Sequence, residues 1–174
     1  MDDLTAVAQL HDACFGPAPI EARRAWLEWS VRNYVALAQL QQPPYGDYAI
    51  ELLSSGEVIG AVGLVPSFGP FDRLPSLRCA SNTDPNAYRP EIGLFWAMAT
   101  QHRRMGYATE AAHAMAAFAF RELNLARIVA TTEHDNAASI GVMRRLGMVL
   151  ERNPEPEPHW FQTVGVLTAL PQQS

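Results

Sequence analysis

From Ile92 to Leu123 the chain runs from an apolar, β-like stretch through Arg103-Arg-Met-Gly106-Tyr-Ala108 into an alanine-rich helical pattern. A strand that hands over to a helix in so few residues suits a sheet with helices laid on it. The helix, Tyr107 to Leu123, carries Ala108, Ala111, Ala112, Met115, Ala119 and Leu123 as a narrow stripe of mainly small side chains, suited to close packing on a sheet. The turn itself is built for an anion. The first N–H groups of a helix lack intrahelical partners, the helix dipole adds partial positive charge, and Gly106 has no Cβ to keep a bulky group off the main chain. The anion it suits is the pyrophosphate of a nucleotide-like cofactor.

Composition narrows the choice. A chain of 174 residues, 48% of them hydrophobic, suits one globular domain, expected to span 1–174. No apolar stretch reaches the roughly 18 residues of a membrane span, and Met-Asp-Asp-Leu is no signal-peptide start. Cys14 and Cys79 stand alone, without the spacing of a disulfide framework or a metal site. A cytoplasmic location, no membrane and no metal are expected. The net charge of −5 argues against nucleic acid as a partner. All 13 strongly basic residues are arginine. Schiff-base chemistry and a P-loop lysine are thereby excluded, so phosphate has to be held by amides and arginine.

The periodicity predicts helices over Leu4–Phe15 and Glu21–Gln41, strands over Tyr48–Leu53 and Val58–Val65, and a long Pro66–Pro90 loop as a candidate substrate loop. A buried strand over Ile92–Met98 and the helix from Tyr107 follow. Further strands are predicted over Arg127–Thr132, Met148–Arg152 and Trp160–Leu167, with a helix over Asn136–Leu146 that Gly147 stops. The fold class is α/β, with a mixed sheet.

Three blocks now stand in order: Glu91-Ile-Gly-Leu-Phe-Trp96, Arg103-Arg-Met-Gly-Tyr-Ala-Thr-Glu-Ala111, and Asn136-Ala-Ala-Ser139 followed by Arg145-Leu-Gly-Met148. Together they resemble the GCN5-related N-acetyltransferase (GNAT) superfamily, and within it the ribosomal-protein N-terminal acetyltransferase branch. The resemblance covers residues 47 to 168 well. It implies an acyl-CoA N-acyltransferase fold, a central, mostly antiparallel sheet whose splayed strands admit acetyl-CoA as co-substrate. It places the pantetheine arm along Trp96, Ala97 and Met98, and the pyrophosphate on the amides of Arg103, Arg104, Met105, Gly106, Tyr107, Ala108 and Thr109. Many relatives start with a strand ahead of the first helix, whereas this chain starts almost at the helix. The stretch from Glu91 to the turn is also about two residues longer than in the ribosomal-protein enzymes, an even shift that keeps strand parity.

In that family the residue matching Asn136 contacts the cofactor arm, and the one matching Ser139 can protonate the departing thiolate. Local sequence alone reads Asn136 as a helix N-cap and Ser139 as a solvated helix residue; the order of the blocks favours the cofactor role. An ammonium has to lose a proton before it attacks, and Glu91, Glu133, His134 and His159 are the candidate bases. Glu91 opens the central strand at a common family position and stands with Ser139 as the catalytic expectation. Arg103 and Arg104 oppose the helix dipole unless an anion is present, which favours a phosphate role. Trp26, Trp29 and Tyr34 read as packing, and Glu155-Pro-Glu-Pro as a stiff loop whose carboxylates could meet a cation.

The expected activity is transfer of an acetyl group to a primary amine by direct attack in a ternary complex. The acidic chain suits a cationic acceptor: a peptide N-terminus, a polyamine or an aminoglycoside-like amine, with the protein a monomer or homodimer. The alternative is a catalytically silent acyl-CoA-binding sensor or partner module. A dinucleotide oxidoreductase lacks its Gly-x-Gly-x-x-Gly here.

Overall fold

The computed structural model describes residues 3–79 and 84–169. Helices α1 (Leu4–Phe15) and α2 (Ile20–Gln39) come first, then strands β1 (Gly46–Glu51), β2 (Val58–Gly69) and β3 (Arg89–Met98). Helix α3 (Tyr107–Arg121), β4 (Arg127–Thr132), α4 (Ala137–Arg145), β5 (Val149–Arg152) and β6 (Thr163–Thr168) complete the order. The six strands are hydrogen-bonded in the order β1-β2-β3-β4-β6-β5. The chain divides into two compact units, Met1–Val65 with Phe95–Met115 and Pro66–Leu94 with Ala116–Ser174, and β2, β3 and α3 pass from one into the other.

In the first unit, α1 buries Leu4, Ala8 and His11, one face at helical spacing. It ends where Gly16, at φ 87°, returns its N–H to Asp12 O at 3.1 Å. Asp12 Oδ1 then ties the two helices together, accepting from Arg23 Nη2 at 2.7 Å and Nε at 3.0 Å. Trp26 lies against His11 with ring centroids 4.2 Å apart, whereas Trp29 is exposed. Tyr34 donates its hydroxyl to Asp47 O at 2.6 Å, and burial pushes that phenol up to about 12, so it stays a donor. The β1–β2 hairpin is antiparallel, Gly46 opposite Leu64 through Glu51 opposite Val58. A Cβ on Gly63 would fall 1.8 Å from Gly46 O, so only glycine lets the two strands meet there.

His11 gives this unit a pH response. Burial foremost, and the charge of Arg23 next, hold its imidazole below the usual 6.5, against a smaller opposing pull from Asp12. A histidine that resists protonation when folded stabilises above its unfolded pKa, and that contribution is lost as pH falls through about 6.5 toward the folded value. Urea midpoints should therefore drop between pH 7.5 and 5.5, and drop less in His11→Phe. An equal drop in both proteins contradicts this origin.

In the second unit, Phe71, Leu74, Leu77, Val129, Phe161, Val164 and Val166 form the buried core. Phe71 meets Phe161 edge-on at 5.1 Å. β4 pairs antiparallel with β6 along its whole length, and β6 with β5. The β3–β4 pairing is parallel and confined to Gly93 opposite Val129.

Several boundaries differ from expectation. β2 continues through Pro66 to Gly69, and a 3-10 turn at Phe71–Arg73 follows, so the Pro66–Pro90 segment is only partly loop. Residues 80–83 of it lie outside the described residues. Trp160 belongs to another 3-10 turn, His159–Phe161, and the last strand begins at Thr163. Among the described residues no helix is long and apolar enough to cross a membrane, and no group of three or more His, Cys, Asp or Glu is placed to hold a metal. Cys14 and Cys79 are both free thiols.

Candidate active site

The turn after β3 is wound by two left-handed residues. Arg104 sits at φ 63° and Gly106 at φ 91°. The first is uncommon for a side-chain-bearing residue and costs on the order of 1–2 kcal/mol, a strain found most often at functional turns. It lets successive amides turn toward one side, the concavity that holds anions. Gly106 O accepts the first helical bond, from Glu110 N at 3.0 Å. The amides of Tyr107 and Ala108 therefore precede the first intrahelical donor and lie at the positive end of α3. A Cβ built on Gly106 would meet nothing within 4 Å, so the space before the turn is open to a ligand.

Trp96, Ala97 and Met98 form the last residues of β3, with Ala97 and Met98 buried and Trp96 half-buried. The Met98 carbonyl is already engaged: Arg103 Nε donates to it at 3.2 Å and Cys14 Sγ lies 3.9 Å away. Arg103 thus fastens the turn to the strand it follows. Arg103, Arg104 and Met105 are exposed, and Tyr107, Ala108 and Thr109 are half-buried at the helix start.

The structure brings Asn136 and Ser139 together in the second unit. Asn136 is the N-cap of α4, its Oδ1 accepting from Ser139 N at 3.1 Å, while Asn136 O takes the bond from Ile140 N at 3.0 Å. The capping geometry and a ligand role are compatible, because capping uses only the side-chain oxygen.

Glu91 is buried, 9% exposed, at the start of β3. Its Oε1 accepts from Arg89 Nη1 and from Arg127 Nη2, both at 2.5 Å, and its Oε2 accepts from Arg127 Nε at 3.0 Å. Arg89 Nε reaches Asp72 Oδ1 at 3.1 Å, and its Nη2 donates to the Leu77 carbonyl. The hydrogen bonding it donates to Glu91 is the main reason the Arg127 guanidinium is held above its usual value. Both carboxylate oxygens are therefore occupied by guanidinium donors, an arrangement suited to anchoring the 72–79 segment against the sheet. Asp72, Arg89 and Arg127 carry no motif, so nothing in the sequence announced this cluster.

The family description "Acetyltransferase (GNAT) domain" matches residues 2–149. The chain belongs to the GNAT acetyltransferases. This GNAT domain is 43% identical over 58 residues to the uncharacterized N-acetyltransferase YnaD of Bacillus subtilis (strain 168), a match covering 33% of each chain. It is 37% identical over 71 residues to the uncharacterized N-acetyltransferase YjdG of the same organism, covering 41% of each. The matches thus span well under two thirds of those relatives. Among solved structures, an acetyltransferase from Agrobacterium tumefaciens str. C58 is similar at a TM-score of 0.66 and 23% identity, over 97% of this chain and 86% of that one. The ribosomal-protein-S5-alanine acetyltransferase from Vibrio fischeri is similar at a TM-score of 0.65 and 15% identity, over 99% and 91%. At those identities the GNAT domain shares their fold.

Proposed function

We propose that the chain moves an acetyl group from acetyl-CoA to a primary amine by direct attack in a ternary complex. The observation that carries this reading is the turn at Arg104 and Gly106, left-handed at both residues, open in front of Gly106 and leading into α3. It fits a pyrophosphate, with the amides of Arg103 to Thr109 as donors and no lysine required. Bound acetyl-CoA supplies an activated thioester, so the protein's task is to orient, to stabilise a developing oxyanion and to move protons. The residues next to the thioester arm are proposed to be Trp96, Ala97, Met98 and Asn136, with Ser139 protonating the thiolate.

The base is not assigned to Glu91. Its two oxygens already accept from two guanidinium groups, which leaves it a poor position from which to take a substrate proton. Glu91 is proposed instead as the buried anchor of the strand that carries the arm. The acidic net charge of −5 favours a cationic acceptor, a peptide N-terminus or a small-molecule amine.

A ligand that binds only the folded state raises the melting temperature. Acetyl-CoA at about 100 times its Kd should stabilise by about 2.7 kcal/mol, which in a domain of this size is a rise of roughly 5–10 °C. No shift at millimolar acetyl-CoA contradicts the reading.

A further inference from the structure

Acyl transfer to an amine, the reading above on which this inference rests, needs a group that takes a proton from the acceptor. The second unit offers one. Glu133, His134 and Asp135, on the connection from β4 to α4, line a depression of about 590 Å³ together with His159 and Gln162 of the β5–β6 connection. That volume falls in the range of small-molecule sites. The chain's strong cations are all arginine, and none of them is among those lining residues.

The walls are held in place. Gln162 Oε1 accepts from His134 N at 3.0 Å, and Gln162 Nε2 donates to Pro156 O at 3.1 Å and lies 3.2 Å from His159 Nδ1. With Nδ1 as acceptor, His159 carries its proton on Nε2, 3.9 Å from Glu157 Oε1. The loop itself is fixed by Glu157 O, which accepts from Arg73 Nη1 at 2.7 Å and Asn153 Nδ2 at 3.1 Å. His134 Nδ1 lies 2.9 Å from the hydroxyl of Thr163, a buried residue. When Nδ1–H donates to that hydroxyl, the lone pair of Nε2 is the ring's proton acceptor.

We infer that this depression receives the acceptor's alkylammonium group, attracted by Glu133 and Asp135, and that His134 takes its proton. One N–H bond of R–NH3+ breaks and the proton goes to His134 Nε2. The nitrogen lone pair forms a C–N bond to the thioester carbonyl carbon. The C–S bond then breaks, the sulfur leaving with its electron pair and taking a proton from the Ser139 hydroxyl, which is made good by the nitrogen's second proton. His134 returns the first proton to water, so ammonium and thioester become amide, thiol and one H+. The ionisable groups that share the depression with His134 are Glu133 and Asp135 on its own connection and His159 on the β5–β6 connection, with Glu157 Oε1 3.9 Å from His159 Nε2.

Two measurements on the full chain test this. With histidine rings labelled with carbon-13, titration of the apo protein with 1,4-diaminobutane should shift the His134 and His159 resonances saturably, while n-butanol should not. Glu133→Gln combined with Asp135→Asn should weaken that binding at least about tenfold, as expected when two attracting charges are lost. No saturable shift, or a shift indifferent to the double substitution, overturns the site. In turnover, His134→Ala and His134→Gln should lower kcat/KM about 100-fold and abolish the acidic limb of its pH profile, and added imidazole should restore activity to the alanine variant. A retained acidic limb overturns the role of His134. Failure of acetyl-CoA to bind would instead strike the acyl-transfer reading, while the diamine titration would still decide the fate of the depression.

Discussion

Gly106→Glu should abolish acetyl-CoA binding while leaving a folded protein. The substitution acts on the ligand in two ways. It fills the open space before the turn, where a Cβ now meets nothing within 4 Å, and it sets a carboxylate against the incoming phosphates. Its cost to the fold is modest. A residue with a Cβ at φ 91° is strained by about 1–2 kcal/mol, and an anion at the start of α3 recovers part of that through the helix dipole. The melting temperature should fall by roughly 2–6 °C. Acetyl-CoA should then raise it no further, and calorimetry should detect no binding. Gly106→Ala separates the two effects: it carries the same backbone strain without the charge, so binding should weaken but persist. If Gly106→Glu binds acetyl-CoA as the parent does, the pyrophosphate does not sit on this turn.

Glu91→Gln should produce the largest loss of stability and a small loss of chemistry. The side chain is 7% exposed and its partners Arg89 and Arg127 are 18% and 35% exposed. Removing one member of a buried ion network leaves the others uncompensated, at a typical cost of 3–5 kcal/mol. The partial exposure of Arg127 reduces this to about 2–3 kcal/mol, a fall in melting temperature of roughly 5–10 °C. Arg127→Met in the same background should recover part of the loss, since it removes the guanidinium left without its carboxylate. Turnover per folded molecule should stay within a few-fold, and the acidic limb of the pH profile should survive. The opposite pattern, lost turnover with an unchanged melting temperature, would make Glu91 the base after all.

The elements that could be read from sequence were those with local punctuation. α1 and β4 match their expected bounds because Gly16-Pro17 closes one and the apolar run from Arg127 to Thr132 defines the other. The turn at Gly106 was visible for the same reason: its chemistry lies in consecutive residues. The β-like run read from sequence ends at Val65 because Pro66 reads as a strand breaker. The last β1 partner on β2 is Leu64, so Pro66 lies beyond the β1 ladder and its missing N–H costs that ladder no bond. The apolar pattern places Trp160 on a strand, but Pro158 instead opens the 3-10 turn that precedes Thr163. What local sequence could not carry was pairing at a distance. Glu91 meets Arg127 36 residues away, and Arg73 holds the loop carbonyl of Glu157 84 residues away. Both links join residues that only the folded chain brings together. For the same reason the catalytic expectation at Glu91 rested on family position alone, and the depression at His134 appeared only as scattered candidate bases.

We propose above all that this GNAT domain moves an acetyl group to an amine without passing it through itself. The most direct measurement follows thiol release from acetyl-CoA by the purified protein over a panel of alkylamines, polyamines and N-terminal peptides, with mass spectrometry of acceptor and enzyme. Thiol should appear only when an amine is present, in step with one acetyl group on the acceptor nitrogen and none on the protein. Acetyl-CoA binding with no thiol released to any amine, or an acetylated enzyme as an intermediate, would contradict it.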